Sequence, residues 1–325
     1  MACGIRKLHG VVVLAAVLLP AWRAVGQTDP GTLLFTPWTQ GQAFQNNIDA
    51  TVENDGHVKE NGLGLRLDTY ESQGRWRMED AHQINPTLGY DVFWLDINSR
   101  DPRLPRHLMD SSIAFATPIA SVGNWFVAAS GGVGYAGSAP YAQSDAYYGR
   151  FTAFVGRQFD KNTSLIFGLD YNGNRTEFPD VPIPGFAYVT QLHSTLKAEI
   201  GFPYTTIWWN PTDALTVEAD YSFPSTMTAE VSYKLTGHLG LFANYAFRDQ
   251  AFHVDGLPAD NRLIFKQQRV ETGLRYDLNE HVSLLAGVGY AFGTHFEVGF
   301  DERGAGTLLK GSDEGYLRLG LQMGW

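Results

Sequence analysis

Ten ionisable side chains recur at even spacings through the second half of the chain: Lys197, Glu199, Glu218, Asp220, Glu230, Lys234, Arg269, Glu271, Arg275 and Arg318. On extended backbone, residues at every second position share one face, so these charges of both signs would collect on one side of a sheet. Two chemistries follow. Opposite charges held together form a neutralising network, and the same charges around a water-filled space form a lining that selects solutes. The spacing brings Glu218 near Lys234 across a turn at Pro224. Catalytic arrangements are thin. The histidines beyond the first turn of sequence, His57, His82, His107, His193, His238, His253, His281 and His295, include no H-x-x-x-H pair, and no G-x-S-x-G elbow occurs. His295 with Asp301 would suit a rim-located lipid hydrolase; most loop histidines are inert, and the reading is of no enzyme, no cofactor and no metal.

The elements that would position those charges are strands. Apolar residues alternate with polar ones in runs of about ten: Leu215 to Phe223, Ala229 to Leu235, Leu239 to Phe247, Val270 to Tyr276, Val282 to Phe292 and Leu317 to Trp325. A period of two marks a sheet with one apolar and one polar face. Less regular strands are read over 42–54, 62–71, 86–98, 108–118, 124–136, 147–159, 163–173 and 191–209, about fourteen in all, or twelve if the first two lie outside the sheet. Short turns at Asp160–Asn162, Pro211–Asp213, Thr236–His238 and Asn279–His281 alternate with longer loops near 173–190, 248–264 and 293–314.

Ten-residue alternating strands with one set of short turns fit a closed antiparallel up-and-down transmembrane β-barrel of 12–14 strands. In lipid a sheet must close so that every backbone polar group is paired. Aromatic residues fall at strand ends, as two interfacial girdles require: Tyr171, Tyr221, Phe223, Tyr245, Phe247, Tyr290 and Phe292 on one rim, and Phe159, Trp208, Trp209, Tyr233, Tyr276 and Trp325 on the other. A soluble sandwich or lipocalin-like barrel would show the same alternation turned inside out. The glycine-rich polar face and the clustered aromatics favour the membrane form. The terminal Leu321, Met323 and Trp325 resemble the signal by which outer-membrane assembly machinery selects its clients, with Met323 where an aromatic is common.

The first 26 residues read as a cleaved secretory leader: Arg6 and Lys7, an apolar run from Val11 to Leu19, and a small-residue cleavage site at Ala24-Val25-Gly26. Residues 27–41 form a periplasmic N-terminal segment and 42–325 the barrel. Loss of the leader removes Arg6, Lys7 and Arg23, taking the net charge from −10 to −13, and removes Cys3, the only cysteine. Disulfides and thiolate metal sites are thereby excluded. The acidic balance argues against a nucleic-acid partner. The partners expected are outer-membrane lipid, the assembly machinery and a small solute.

The segment Phe178 to Phe186 carries three prolines and reads as a stiff loop, either a lid or constriction built on Pro179, Asp180, Pro182, Pro184 and Gly185 or a rigid connector at the rim. It belongs to a longer pattern, Leu169-Asp170-Tyr171-Asn172-Gly173-Asn174-Arg175, then Phe178 to Tyr188, Gly201-Phe202-Pro203 and Trp209-Asn210-Pro211. That pattern resembles a family of predicted outer-membrane β-barrels of unknown function, over roughly residues 40–325. The resemblance implies fold and location, and no activity. Three functions stay open: a narrow channel or binding barrel for a small solute, a structural or surface-interaction barrel with a plugged lumen, and the rim enzyme.

Overall fold

The computed structural model describes residues 42–78, 86–224, 226–258 and 260–325. The leader and the 27–41 segment lie outside the described residues. The chain forms one antiparallel sheet that closes on itself. Its strands are β1 (Phe44–Glu53), β2 (Gly56–His57), β3 (Gly64–Arg77), β4 (Thr87–Ser99), β5 (His107–Val122), β6 (Trp125–Gly137), β7 (Tyr147–Asp160), β8 (Thr163–Asn172), β9 (Ile183–His193), β10 (Leu196–Phe202), β11 (Tyr204–Trp209), β12 (Leu215–Ser222), β13 (Thr226–Lys234), β14 (Leu239–Phe252), β15 (Arg262–Asp277), β16 (Val282–Gly299), β17 (Gly306–Lys310) and β18 (Glu314–Gly324). The short β2 and β17 are additions at the mouth; the other sixteen make the wall. β1 closes it, pairing with β18 from Gln45↔Gly324 to Glu53↔Tyr316 and with β3 from Phe44↔Trp76 to Val52↔Asp68. Closure gives every wall strand a neighbour on both sides.

The alternation is oriented apolar-out. Val231, Leu241 and Leu284 are 45%, 41% and 43% exposed, while their neighbours Glu230, Phe242 and Leu285 are 5%, 2% and 3% exposed. Tyr221, Tyr233, Tyr276, Trp209, Phe159 and Trp325 stand exposed at the strand ends, and Tyr290 stands exposed midway along β16. The inner glycines have a packing reason. A Cβ at Gly289 would lie 2.2 Å from the Tyr316 ring, and one at Gly273 2.6 Å from that of Phe242. Those two large side chains lie flat across the wall because the facing residue has none.

Sixteen wall strands exceed the expected 12–14, and the first strands belong to the sheet. Two errors of reading account for the count. Residues 191–209 are not one strand but the end of β9 followed by the β10–β11 hairpin, with Leu196↔Trp209 to Glu199↔Thr206 in register. Its turn, Phe202-Pro203-Tyr204, carries none of the usual polar turn residues. The Pro-rich segment read as loop enters β9, where Pro184 lies opposite Leu169. Trp208 is also corrected: it is buried and faces inward, and its neighbour Trp209 faces out.

The wall is uneven. β14, β15 and β16 have 14, 16 and 18 residues, whereas β10 to β13 have 7, 6, 8 and 9. The tall strands continue past the long-loop rim, so the loops expected at 248–264 and 293–314 are partly sheet. At that end β14 bends across the mouth to β6, eight places away in either direction around the ring. Gly137 and His253 form a parallel bridge, with His253 N donating to Ala136 O and Ser138 N to His253 O, both at 3.0 Å. This crossing divides the mouth in two. The half under the tall strands is filled by a cluster including Leu67, Phe93, Leu95, Phe252, Phe265 and Phe296. The other half lies over the short strands.

Candidate functional site

The lumen below the crossing is built from inward residues of the alternating strands. Arg318 on β18 donates from Nε to Asp49 and from Nη1 to Glu271, each at 2.9 Å. Arg269 reaches Glu53 at 3.3 Å and donates from Nε to Gln267. Arg275 meets Glu230 at 3.0 Å, and Arg248 meets Glu71 at 2.7 Å. Lys197 lies over the Trp208 ring, 4.8 Å from its centre. Glu199 and Glu218 are buried, and Asp220 shares their inward row. Lys234 is exposed at the short-turn end. The expected approach of Glu218 to Lys234 is corrected by the β12–β13 register, which sets Glu218 opposite Glu230. The turn after β12 is tighter than the pairing assumed, and Glu230 takes its cation from β15 instead.

Over the short-walled half lies the loop between β8 and β9. Arg175 ties its two ends, donating from Nη2 to Asp170 and from Nη1 to Val181 O at 3.2 Å. Asn174 donates to Ala251 O at 3.0 Å, Thr176 to Asp249 at 3.2 Å, and Arg262 to Arg175 O at 3.0 Å. These bonds fasten the loop to the crossing strand β14 and to the start of β15. Phe178 stacks on Phe223 and under Arg303, and both Phe178 and Asp180 hold left-handed backbone, φ 53° and 58°. A non-glycine residue keeps that conformation only where its surroundings fix it. Pro179 is buried in the loop; Asp180 accepts from the Tyr171 hydroxyl at 2.7 Å; Pro182 and Pro184 are exposed, and Gly185 lies in β9. The residues of this segment that reach the interior are Asn172, Asn174, Arg175 and Thr176, just ahead of the prolines.

Beneath the loop is a cavity of about 50 Å³ whose wall includes Asp91, Asp110, Tyr148, Arg150, Asn174 and Gln250. A second, of about 40 Å³, is lined among others by Glu71, Phe93, Arg248, Gln267 and Arg269. Asp91, Thr226 and Gln250 line both. Asp110 accepts from the Tyr148 hydroxyl at 2.7 Å. None of Asp91, Asp110, Tyr148, Arg150 and Gln250 stood out in the sequence. Asp91, Asp110, Tyr148 and Arg150 lie on strands the alternation marks, Gln250 lay in the expected 248–264 loop that the structure makes the end of β14, and only the approach of β4 to β14 across the lumen joins them.

The other candidates are placed as follows. His295 directs Nδ1 to the Gly293 carbonyl at 2.5 Å, and Asp301 is held by Arg303, so the two are not brought together. Among the described residues no cluster of His, Cys, Asp or Glu could hold a metal ion. Leu321, Met323 and Trp325 face outward at the seam. Trp325 stacks on His281 and Phe44, 5.9 and 6.1 Å between centres, and donates its backbone N–H to Phe44 O at 2.9 Å. In the loop after β4, Asp101 accepts from Arg103 Nε (2.9 Å) and Nη2 (2.7 Å) and from Asn61 (2.9 Å). The Arg103 guanidinium holds its carboxyl well below the usual carboxylate range.

No family model matches the chain, and no curated protein matches it. Solved structures do. A TodX deltaS2S3 mutant, a monoaromatic hydrocarbon channel, aligns at 11% identity with TM-score 0.45 over 92% of this chain and 93% of its own. A Pseudomonas aeruginosa FadL homologue aligns at 12% and 0.41, over 91% and 94%. The COG4313 outer membrane channel from Pseudomonas putida F1 aligns at 10% and 0.39, over 92% and 100%. The barrel assignment rests on the strand pairing described above.

Proposed function

We propose that this chain is an outer-membrane β-barrel that passes or binds small hydrophilic solutes. The observation that carries it is a polar cavity beneath the loop, on the half of the mouth that the apolar cluster leaves unfilled, which shares Asp91, Thr226 and Gln250 with a second cavity of mixed lining. An exposed apolar band with interfacial aromatics is stable against hydrocarbon, which supports the membrane setting. In this reading residues 1–26 direct export, Leu321, Met323 and Trp325 present the last strand to the assembly machinery, and both termini lie in the periplasm. The TodX mutant is named for hydrocarbons; the upper cavity here is lined mainly by carboxylates, amides and guanidinium groups, so the solute class is hydrophilic. Each cavity has room for a few waters, which makes the passage narrow. A plugged structural barrel is the second reading, favoured by the β6–β14 crossing and the paired charges.

Single-channel recording in planar bilayers separates the two. The passage reading expects small, discrete conductance steps, enlarged in Arg175→Met, where the ends of the loop are no longer tied. Silence from both proteins would leave the plugged barrel.

A further inference from the structure

The junction between the cavities has a chemical bias. Gln250 on β14 is 4% exposed, and its Oε1 accepts no hydrogen bond. A buried carbonyl oxygen without a donor is costly in free energy, and this one belongs to a side chain that lines both cavities. Asp91 and Thr226 line both cavities with it, so three residues with oxygen-bearing side chains meet at the junction. In the upper cavity Asp170 is engaged by Arg175, Asp110 accepts from the Tyr148 hydroxyl and Asp249 from Thr176, and Asp91 is the carboxylate that belongs to the junction itself. What fits is positively charged, rich in N–H donors and only a few atoms across. One carboxylate at the junction balances a single positive charge, and the amide and hydroxyl oxygens beside it are acceptors for N–H groups.

We infer that Asp91, Thr226 and Gln250 form a binding site for a small organic ammonium ion where the two cavities meet. The inference rests on the passage proposed above and names the class of solute it favours. An ammonium group donates to Gln250 Oε1 and Thr226 while its charge is met by Asp91, and cations are thereby favoured over anions.

The test is calorimetric titration of the full chain in detergent with methylammonium chloride, set against tetramethylammonium chloride at equal chloride. Saturable binding is expected for methylammonium alone, since tetramethylammonium is bulkier and has no N–H. Asp91→Asn and Gln250→Leu each weaken it about tenfold. Equal heats for the two salts overturn the site without recourse to a variant, as does undiminished binding by both variants. Bilayer recording distinguishes this from the passage itself. Saturable binding in a silent barrel keeps the site and removes the passage; conductance without methylammonium binding does the reverse.

Discussion

Arg318→Met tests whether the charged lumen is a packed interior or a wet one. Arg318 holds Asp49 and Glu271 through two bonds of 2.9 Å, and the side chains of Arg318, Asp49 and Glu271 are 10%, 8% and 2% exposed. Removing the guanidinium leaves two carboxylates that water reaches poorly. Charge-assisted hydrogen bonds contribute about 1.5–3 kcal/mol each, so two lost bonds give about 3–6 kcal/mol. Breaking a buried ion pair from one side costs about 3–5 kcal/mol, and the two routes agree. Arg318→Lys keeps the charge and loses the fork, so its cost should be about half. Combining Arg318→Met with Asp49→Asn and Glu271→Gln removes the stranded charges, and stability should return to within about 2 kcal/mol of the original, since the three sites are coupled. The assay is equilibrium unfolding in guanidinium chloride from phospholipid vesicles, followed by tryptophan emission. A cost below about 1 kcal/mol for Arg318→Met alone, the figure for a solvent-exposed pair, would refute the account of the Arg318, Asp49 and Glu271 cluster as buried and interlocked.

Two further perturbations probe the outer face and the mouth. Val231→Arg puts a charge into the apolar band and should cost about 2–4 kcal/mol in vesicles, against about 0–1 for Leu235→Arg at the turn; equal costs would mean that Val231 does not face hydrocarbon. Asp101 supplies a pH dependence. Its carboxyl is depressed in the folded protein by Arg103, so its contribution is complete above the unfolded-state value near ~3.9 and is lost as pH falls through the folded value. Amide protection in residues 60–63 and 101–106, taken relative to intrinsic exchange at the same pH, should therefore fall in that acid range, and in Asp101→Asn it should be low at every pH.

The parts of the fold legible in the sequence are those where lipid and lumen impose opposite demands on adjacent residues. Glu230 beside Val231 and Arg318 beside Leu319 declare the inner and outer faces without any knowledge of partners. The hairpin at Phe202-Pro203-Tyr204 was illegible because its turn is apolar, and β9 because Pro184 reads as a strand breaker. The charged rows were legible, but their pairings were not. Arg275 is opposite Gly240 and Leu285 in register, yet its ion pair is with Glu230, on β13, the strand beyond β14. The junction of Asp91 with Gln250 lies further out of reach, since a period of two says which way a side chain points and nothing about which strand meets it across the lumen.

The uneven wall has a consequence for the bilayer itself. A strand of 6 residues such as β11 extends about 20 Å at ~3.4 Å per residue, and tilted by ~40° it rises about 15 Å, well under the ~25 Å of a usual apolar belt. The hydrocarbon beside β10 to β13 must therefore thin, or the whole cylinder must lean until that side matches. Either response marks one sector of the perimeter as mechanically distinct, where acyl chains are compressed and headgroups sit closest to the hydrophilic interior.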